Sequence, residues 1–286
     1  MALVDLHLHT TASDGALSPV ELVHRCAAAG VRVMAITDHD STEGVRPAMA
    51  AAEPLGITVI AGTELNTDAA DGEVHILGYF VDLDSPAFQE ALLAARDARV
   101  GRAKAMLAKL DALGMPLSFE RVRALAGEGA IGRPHVAQAL VEAGYVETIA
   151  EAFERYLGRN GPAYAEGMRL SPREAVRLIR AAGGLPVLAH PSFVADPEAT
   201  VAALVPEGLA GVEVFYREYG EAERARFGAL ARRFGLLQTG GSDFHGTGNW
   251  PEEGPGTVEV PWSVVEALFA AAGRPVPTLS RFRLQS

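Results

Sequence analysis

Short apolar runs alternate with helix-like stretches in the first third of the chain, and this alternation is typical of βα units that build a parallel sheet. Three of the runs predict strands, at residues 2–6, 31–36 and 57–63. A fourth predicted strand, GEVHILGYFV, opens after a tight turn at Asp71 and Gly72. The pattern therefore predicts an α/β fold from the start of the chain.

Capping residues mark the helix boundaries between these strands. Ser18 followed by Pro19 is typical of an N-cap and a first helical position, and Gly30 marks the end of that helix. Ser41 predicts the start of the second helix in the same way. A helix is thus expected after each of the first two strands.

From about residue 86 to 158 the pattern shows helical periodicity alone, which predicts a helical insertion domain at residues 86–164. The βα rhythm then returns, and the later predicted elements are a helix at 171–183, strands at 185–189 and 211–216, a helix at 220–235, a strand at 237–241 and a helix near 262–272. We expect residues 1–85 and 165–286 to form an incomplete or distorted barrel, with the insertion as a lid. In such barrels the active site lies at the carboxyl ends of the strands.

Composition narrows the functional classes. A chain of 286 residues with 49% hydrophobic side chains can bury a large core, and no stretch approaches the roughly 20 apolar residues of a membrane span. The net charge of −11 argues against coating a nucleic-acid duplex but is compatible with a small or end-bound phosphorylated substrate. The single cysteine, Cys26, predicts a buried helix residue. We expect a cytoplasmic protein that binds neither duplex DNA nor membranes, and the oligomeric state stays open.

Histidines and carboxylates cluster in short polar patches, most of them where a predicted strand ends. Residues two apart on an extended segment project to the same side, so such a pair can grip one ion. Imidazole with carboxylate is the ligand set of Zn, Mn or Fe. The candidates exceed what one ion needs, which predicts a bi- or trinuclear site. They are His7, His9, Asp14, His39, Glu64, His75, His190, Asp243 and His245.

A lone histidine at a strand end is more often a satisfied polar residue than a ligand, so each residue taken singly stays ambiguous. The shared placement of the whole set favours ligation. His24 lies in a predicted helix without an acidic partner, and we interpret it as a surface or helix-packing residue. Clustered divalent ions polarise phosphoryl oxygens and activate water, which favours hydrolysis of a phosphate ester. Amide or lactone hydrolysis would use similar ligands, so the cluster alone does not choose the substrate.

The chain resembles the PHP (polymerase and histidinol phosphatase) family in seven motifs: HLHTTASDG, AITDHDS, GTELN, HILGY, GRPH, LAHP and GGSDFHG. Within the family it is most similar to stand-alone phosphoesterases with a helical insert, the nucleoside 3′,5′-bisphosphate phosphatases, some of which also trim the 5′ ends of short RNAs. The resemblance implies a distorted (β/α)7 barrel of the PHP type with a helical insertion domain.

The resemblance also implies a ligand assignment. One ion would be held by His7, His9, Glu64 and Asp243; Glu64 would bridge to a second, completed by His75 and His190; a third would be held by Asp14, His39 and His245. The expected cofactors are two or three divalent ions, Mn, Fe or Zn. They would activate a hydroxide for in-line attack on phosphorus, and Asp243 counts among the candidate catalytic residues.

Two residues of the insertion join the candidate catalytic set. The motif GRPH suggests that Arg133 and His135 reach over the metals, where Arg133 would bind phosphate oxygens and His135 would bind phosphate or protonate the leaving oxygen. The alternative is a helix start at Pro134 with two surface polar residues. A metal-ligand role for His135 also stays open.

The chain departs from the family at two points. Many relatives carry a lysine before the Pro-Ala-Tyr segment, whereas Gly161 stands there in this chain; Arg159 is a candidate replacement for phosphate binding. Relatives also tend to have Asn or His after the GVEV strand, where this chain has Tyr216 and Tyr219. We interpret these tyrosines either as base-stacking or as packing residues.

The leading hypothesis is a metal-dependent phosphoester hydrolase acting on a small phosphorylated substrate: 3′,5′-nucleoside bisphosphates, AMP-like monoesters or the 5′ ends of short RNA. Histidinol phosphatase is the nearest rival, and it would act on a small cationic phosphate ester and ignore nucleotides. A regulatory or binding module with an inert site is the alternative from a different class. The intact ligand set argues against that alternative.

Overall fold

The structure, a computed structural model, describes residues 3–69, 72–126, 131–165, 170–246 and 254–278. Asp71, which the sequence assigns to a turn, lies outside these ranges. The chain divides into two compact units. One comprises Met1–Gln89 and Leu170–Ser286, and the other comprises Glu90–Arg169.

The first unit is built on a single sheet whose spatial order follows the sequence. Its strands among the described residues are β1 Val4–Asp5, β2 Val33–Ile36, β3 Thr58–Ala69, β4 Gly72–Tyr79, β5 Leu185–Leu188, β6 Gly211–Tyr216 and β7 Leu237–Gly241. The two edges of the sheet meet, because the Leu6 amide donates to the Gly240 carbonyl (3.2 Å) and Leu8 pairs with Phe244. The sheet closes almost completely, and the predicted distorted barrel is confirmed.

Strand β4 corrects the expectation of a purely parallel sheet. It runs antiparallel to both of its neighbours, while the other pairs are parallel. Only two residues separate Ala69 from Gly72, and a parallel pair needs a crossover of about a dozen. β3 also continues to Ala69 instead of ending at residue 63, because its second half pairs with β4. This hairpin carries Glu64 and His75 on adjacent strands.

Helices follow the parallel strands and also form the second unit. α1 follows β1, α2 follows β2, α8 follows β5 and α9 follows β6, which is the predicted βα alternation. No helix of the described residues is long and apolar enough to cross a membrane. In chain order the helices are α1 Pro19–Ala28, α2 Val45–Ala52, α3 Pro86–Ala112, α4 Phe119–Ala126, α5 Arg133–Glu142, α6 Ile149–Ala152, α7 Pro172–Ala181, α8 Pro197–Leu204, α9 Glu221–Arg233 and α10 Trp262–Ala271.

Capping interactions set the beginning of α1. The Ser18 hydroxyl accepts a hydrogen bond from the Glu21 amide (3.3 Å), while the Glu21 carboxylate accepts one from the Ser18 amide (2.9 Å), so the predicted start is confirmed. The predicted helix start at Ser41 is wrong, because α2 begins at Val45. The Ser41 hydroxyl instead accepts from the amide two residues later (3.2 Å) and belongs to a turn.

Alternate residues of β2 face two different apolar cores in the first unit. Val33 and Ala35 pack in a cluster that includes α10, whereas Met34 and Ile36 pack in a cluster that includes α1 and α2. Cys26 is buried in the second of these clusters, and burial raises the pKa of its thiol. The cysteine is therefore an inert packing residue, as its sequence setting predicts.

The second unit is helical and has its own core. Leu110 of α3, Val122 of α4, and Val136 and Leu140 of α5 are buried together. Burial of a leucine or valine side chain contributes roughly 1.5–3 kcal/mol relative to leaving it in water. A cluster of this kind is enough to hold these helices against one another.

Candidate metal centre

Two histidine-bearing segments, one after β1 and one after β7, lie side by side at the carboxyl ends of their strands. Leu8 and Phe244 pair in a parallel bridge, and both face the apolar cluster under α1 and α2. Neighbours on an extended chain point to opposite sides, so the residues that flank this pair converge on the other face. Those residues are His7, His9, Asp243 and His245.

Glu64, on β3, is the centre of the cluster and is only 1% exposed. Its two carboxylate oxygens face different histidines. Its backbone pairs with that of His39, on the loop after β2, and this pairing fixes its position. An arrangement of this kind suits a carboxylate that bridges two metal ions. Five imidazole nitrogens lie 3.0–3.3 Å from it, those of His7, His9 and His39 near Oε2 and those of His75 and His190 near Oε1.

A second focus forms around Asp14. Its Oδ1 atom lies 3.4 Å from His245 Nε2 and 3.7 Å from His9 Nδ1, and its Oδ2 atom lies 3.7 Å from His39 Nε2. Among the described residues, potential ligand atoms within 4.8 Å of one another form three groups: His7, His9, Glu64 and Asp243; His9, Asp14, His39 and His245; and His39, Glu64 and His75. All nine predicted ligands lie in this neighbourhood, His190 through its contact with Glu64.

The donor atoms face one another in a way that a cation would satisfy. His7 Nε2 and Glu64 Oε2 are buried 3.3 Å apart, yet neither makes a hydrogen bond of acceptable geometry with any described residue, and the same holds for His9 Nδ1. Leaving a buried polar atom unsatisfied costs about 1–3 kcal/mol. Convergent lone pairs from imidazole and carboxylate groups are the ligand set of a divalent transition metal. The residues present therefore fit metal ions.

The buried carboxylates of the cluster are held in their ionised form. Burial opposes the charge of Glu64, but His39, His7 and His75 outweigh it and hold its pKa well below the usual range. Burial likewise opposes ionisation of Asp14, where His39 and His245 lower the pKa. These carboxylates thus keep their negative charge at neutral pH, which favours cation binding.

The histidines respond in the opposite direction. Burial disfavours the imidazolium of His7, but Glu213, Asp243 and Glu64 outweigh it and raise the pKa well above its ordinary value. The pKa of His245 rises to about 10, because Asp14 and Asp243 outweigh the same burial effect. Without a cation these rings therefore hold protons at neutral pH, and a bound metal ion must displace them.

Backbone strain is concentrated at the centre. His190 has φ 22° and Asp243 has φ 51°, and both angles fall in the left-handed region that favours glycine. Such conformations cost about 1–3 kcal/mol each and persist where the surroundings impose them. The His190 amide donates to the Glu213 carboxylate (2.7 Å), and the Asp243 amide donates to the His7 carbonyl (2.9 Å). These bonds hold both residues in place.

Glu213, in the middle of β6, is the most informative residue that the sequence reasoning missed. It is fully buried, and its Oε1 atom accepts a hydrogen bond from His7 Nδ1 (3.0 Å). With one proton held on Nδ1, Nε2, which lies on the side of Glu64, is the nitrogen that can bind a metal ion once the ion has displaced the second proton. The available signal was a charged residue inside the otherwise apolar run GVEVFY.

Two further buried carboxylates anchor the loops that carry the ligands. Asp5 accepts from the Ser242 amide (2.9 Å) and hydroxyl (2.7 Å), and so ties the segment after β7 to β1. Asp38 accepts from the Thr10 amide (2.7 Å) and from the hydroxyls of Thr10 (2.8 Å) and Ser13 (2.7 Å). Burial raises the pKa of both carboxyls. They are supports for the ligand loops, and the sequence signal for them was their position next to the histidine motifs.

The two tyrosines after the GVEV strand are buried, which favours packing over base stacking. The Tyr216 hydroxyl donates to Asp243 Oδ2 (2.8 Å), and the Tyr219 hydroxyl accepts from the Ser192 amide (3.0 Å). Arg217 adds a contact to Asp243, with Nη2 3.3 Å from Oδ2. The tyrosines and this arginine orient the metal-facing loops.

The remaining candidate residues lie in the second unit. Arg133 begins α5, and its guanidinium lies 5.4 Å from the centre of the Phe153 ring. His135 Nδ1 accepts a hydrogen bond from the Gly132 amide (2.9 Å) and so caps the first turn of the helix. Arg159 is exposed. In the first unit, His24 is exposed on α1, as its sequence setting predicts.

A nearly closed α/β barrel with buried carboxylates and imidazoles at the carboxyl ends of its strands defines the class of metal-dependent hydrolases. Comparison with known proteins narrows this class. A family model described as the PHP domain matches residues 5–161. The chain belongs to the PHP domain family, and it is a metal-dependent phosphoesterase.

The chain is similar to known proteins over most of its own length and of theirs. The chain is 36% identical to a 5′-3′ exoribonuclease from Haemophilus influenzae over 254 residues, covering 87% of this chain and 92% of that protein. It is 34% identical to a 3′,5′-nucleoside bisphosphate phosphatase from Chromobacterium violaceum over 278 residues, covering 93% and 98%. A solved structure of a candidate metal-dependent phosphoesterase from Bifidobacterium adolescentis matches with a TM-score of 0.83 at 32% identity, covering 93% and 95%.

Proposed function

We propose that this phosphoesterase hydrolyses phosphate esters of nucleotides: 3′,5′-nucleoside bisphosphates, AMP-like monoesters or the 5′ ends of short RNA. The observation that carries the proposal is the convergence of imidazole and carboxylate groups on Glu64, with ligand groups on either side of it. The names of the relatives, an exoribonuclease and a bisphosphate phosphatase, support the choice of nucleotides.

We assign two or three divalent ions, Mn, Fe or Zn, to this centre. Bound ions would polarise the phosphoryl oxygens and lower the pKa of water towards ~7. Glu64 would bridge two ions through its separate oxygens, and Asp243 would hold one of them. The proposed ligands are His7, His9, Glu64 and Asp243 for one ion, Glu64, His75 and His190 for a second, and Asp14, His39 and His245 for a third.

The second unit supplies the proposed substrate ligands. Arg133 lines a small cavity together with Arg99 and Arg102. The planar guanidinium group of arginine binds phosphate oxygens in pairs. We assign Arg133 to phosphate binding, and Arg159 is a further candidate for the same task.

His135 is the proposed proton donor or phosphate ligand. Its Nδ1 atom accepts the Gly132 amide proton, so the ring carries its own proton on Nε2. A ring in this tautomer can donate to a phosphate oxygen or to the leaving oxygen of the ester. The contact that caps α5 therefore also sets the direction of proton donation.

A panel of substrates tests the proposal. Phosphate release by the Mn-loaded protein is measured with adenosine 3′,5′-bisphosphate, AMP, a short 5′-phosphorylated RNA and histidinol phosphate. We expect the nucleotides or the RNA to be preferred. Preference for histidinol phosphate would contradict the nucleotide assignment. Full activity after chelation, with metal loss verified by elemental analysis, would contradict the metal mechanism.

A further inference from the structure

Phe193 is an aromatic side chain left in water beside the metal centre. It is 58% exposed, the largest exposure among the large apolar side chains of the described residues. Its ring centre lies 5.4 Å from that of His190 and 6.1 Å from that of Tyr216, both edge to face. The ring is therefore in contact with the centre while much of its surface faces solvent.

The turn that carries Phe193 is held rigidly. The Phe193 amide donates to the His190 carbonyl (3.1 Å), and the Ser192 amide donates to the Tyr219 hydroxyl (3.0 Å). Tyr219 is itself packed between Tyr216 and Phe227. The exposed ring thus has a fixed position relative to His190, and a flat apolar surface with a fixed position is pre-organised for a flat ligand.

We infer that Phe193 is the stacking platform for the nucleobase of the substrate. The inference rests on the proposed nucleotide activity. Both tyrosines considered for this role are buried, so among the residues that the structure describes Phe193 is the aromatic ring next to the centre that offers its surface. Because Phe193 contacts His190, one nucleotide could place its phosphate in the metal centre and its base on the Phe193 ring. Stacking uses the π face that every base presents.

The test compares AMP with ribose 5-phosphate, which lacks the base. For Phe193→Ala we expect the ratio of kcat/KM for AMP to that for ribose 5-phosphate to fall by about 5- to 150-fold, the factor that corresponds to measured base–aromatic stacking. Phe193→Trp, which keeps an aromatic ring, should keep the ratio near that of the wild type. Phe193→Leu, which has no ring, should lower it as the alanine variant does. Leu55→Ala removes an exposed apolar side chain before the amino end of β3 and should leave both rates at wild-type values.

Binding gives a second measurement. The Phe193→Trp protein should lose fluorescence on adding AMP but not ribose 5-phosphate, beyond the change seen in the wild type with its two tryptophans. Equal losses of rate for both substrates in Phe193→Ala, or a loss of bound metal in that variant, would overturn the inference and make Phe193 a support for His190. A wild-type protein inactive on every nucleotide would instead refute the proposed function itself.

Discussion

Replacing Glu213 by glutamine tests whether a carboxylate outside the ligand set controls the metal centre. The side chain accepts two hydrogen bonds, one from His7 Nδ1 (3.0 Å) and one from the His190 amide (2.7 Å). Glutamine has the same shape but offers one acceptor oxygen and one NH2 group. In Glu213→Gln, one of the two buried donors must therefore face another donor.

The expected magnitude follows from that mismatch. A buried donor without a partner costs about 1–3 kcal/mol, which corresponds to a factor of roughly 5 to 150 in an equilibrium constant. Loss of a carboxylate that orients a metal-binding histidine typically lowers metal affinity or activity by about 10- to 100-fold. The two estimates overlap, and we expect the affinity of the protein for Mn or Zn to fall by about 10- to 100-fold.

The assay is a titration of metal content against a competing chelator, followed by phosphate release at saturating metal. Glu218→Gln is the matched control, because Glu218 lies on the loop after β6 with its side chain 50% exposed. A thermal unfolding curve of each metal-free protein shows whether the fold is intact. A folded Glu213→Gln protein whose metal affinity stays within about twofold of the wild type would refute the argument, since about 10-fold is the smallest expected effect.

Three further outcomes are expected. Glu64→Gln should lower metal content and rate together, because the amide cannot bridge two cations; wild-type values for both by elemental analysis and kinetics would exclude the bridge. Metal affinity should rise as the pH increases towards about 10, with protons released on binding, because the pKa of His245 is raised to about 10 and that of His7 is also raised, so protons compete with cations below those values. Affinity that does not change with pH in a weakly buffered titration would contradict this. Arg133→Ala should raise KM with metal content unchanged. The control is Arg123→Ala, at an exposed position of α4, which should leave KM unchanged. Unaltered kinetics in Arg133→Ala would mean that Arg133 is a surface residue without a role in substrate binding.

Local patterns in the sequence predicted much of the barrel. The apolar run at β2 and the capping residues at α1 act over a few neighbours, so their effects can be read from the chain directly. The ligand candidates were also visible, because imidazole and carboxylate groups recur where strands end. The prediction that Ser41 starts a helix failed for the same local reason: its hydroxyl satisfies a turn as well as it would satisfy a helix.

The orientation of β4 and the role of Glu213 depended on contacts between distant parts of the chain. A carboxylate in an apolar strand signals a buried charge, but the sequence does not show its partner, because His7 lies more than two hundred residues away along the chain. The same holds for Tyr216, whose hydroxyl meets Asp243 only after β6 and β7 pair.

The sequence by itself determined the elements, the class of barrel and the chemical types of the candidate ligands. The tertiary structure decided which oxygen of Glu64 faces which histidine. It also left the ring of Phe193 exposed while Tyr216 and Tyr219 became buried, and it placed the Glu213 carboxylate against Nδ1 of His7. The physical reason is the distance along the chain over which each interaction acts. Periodicity and capping act within a few residues of one another, whereas hydrogen-bond direction and burial depend on groups that only folding brings together.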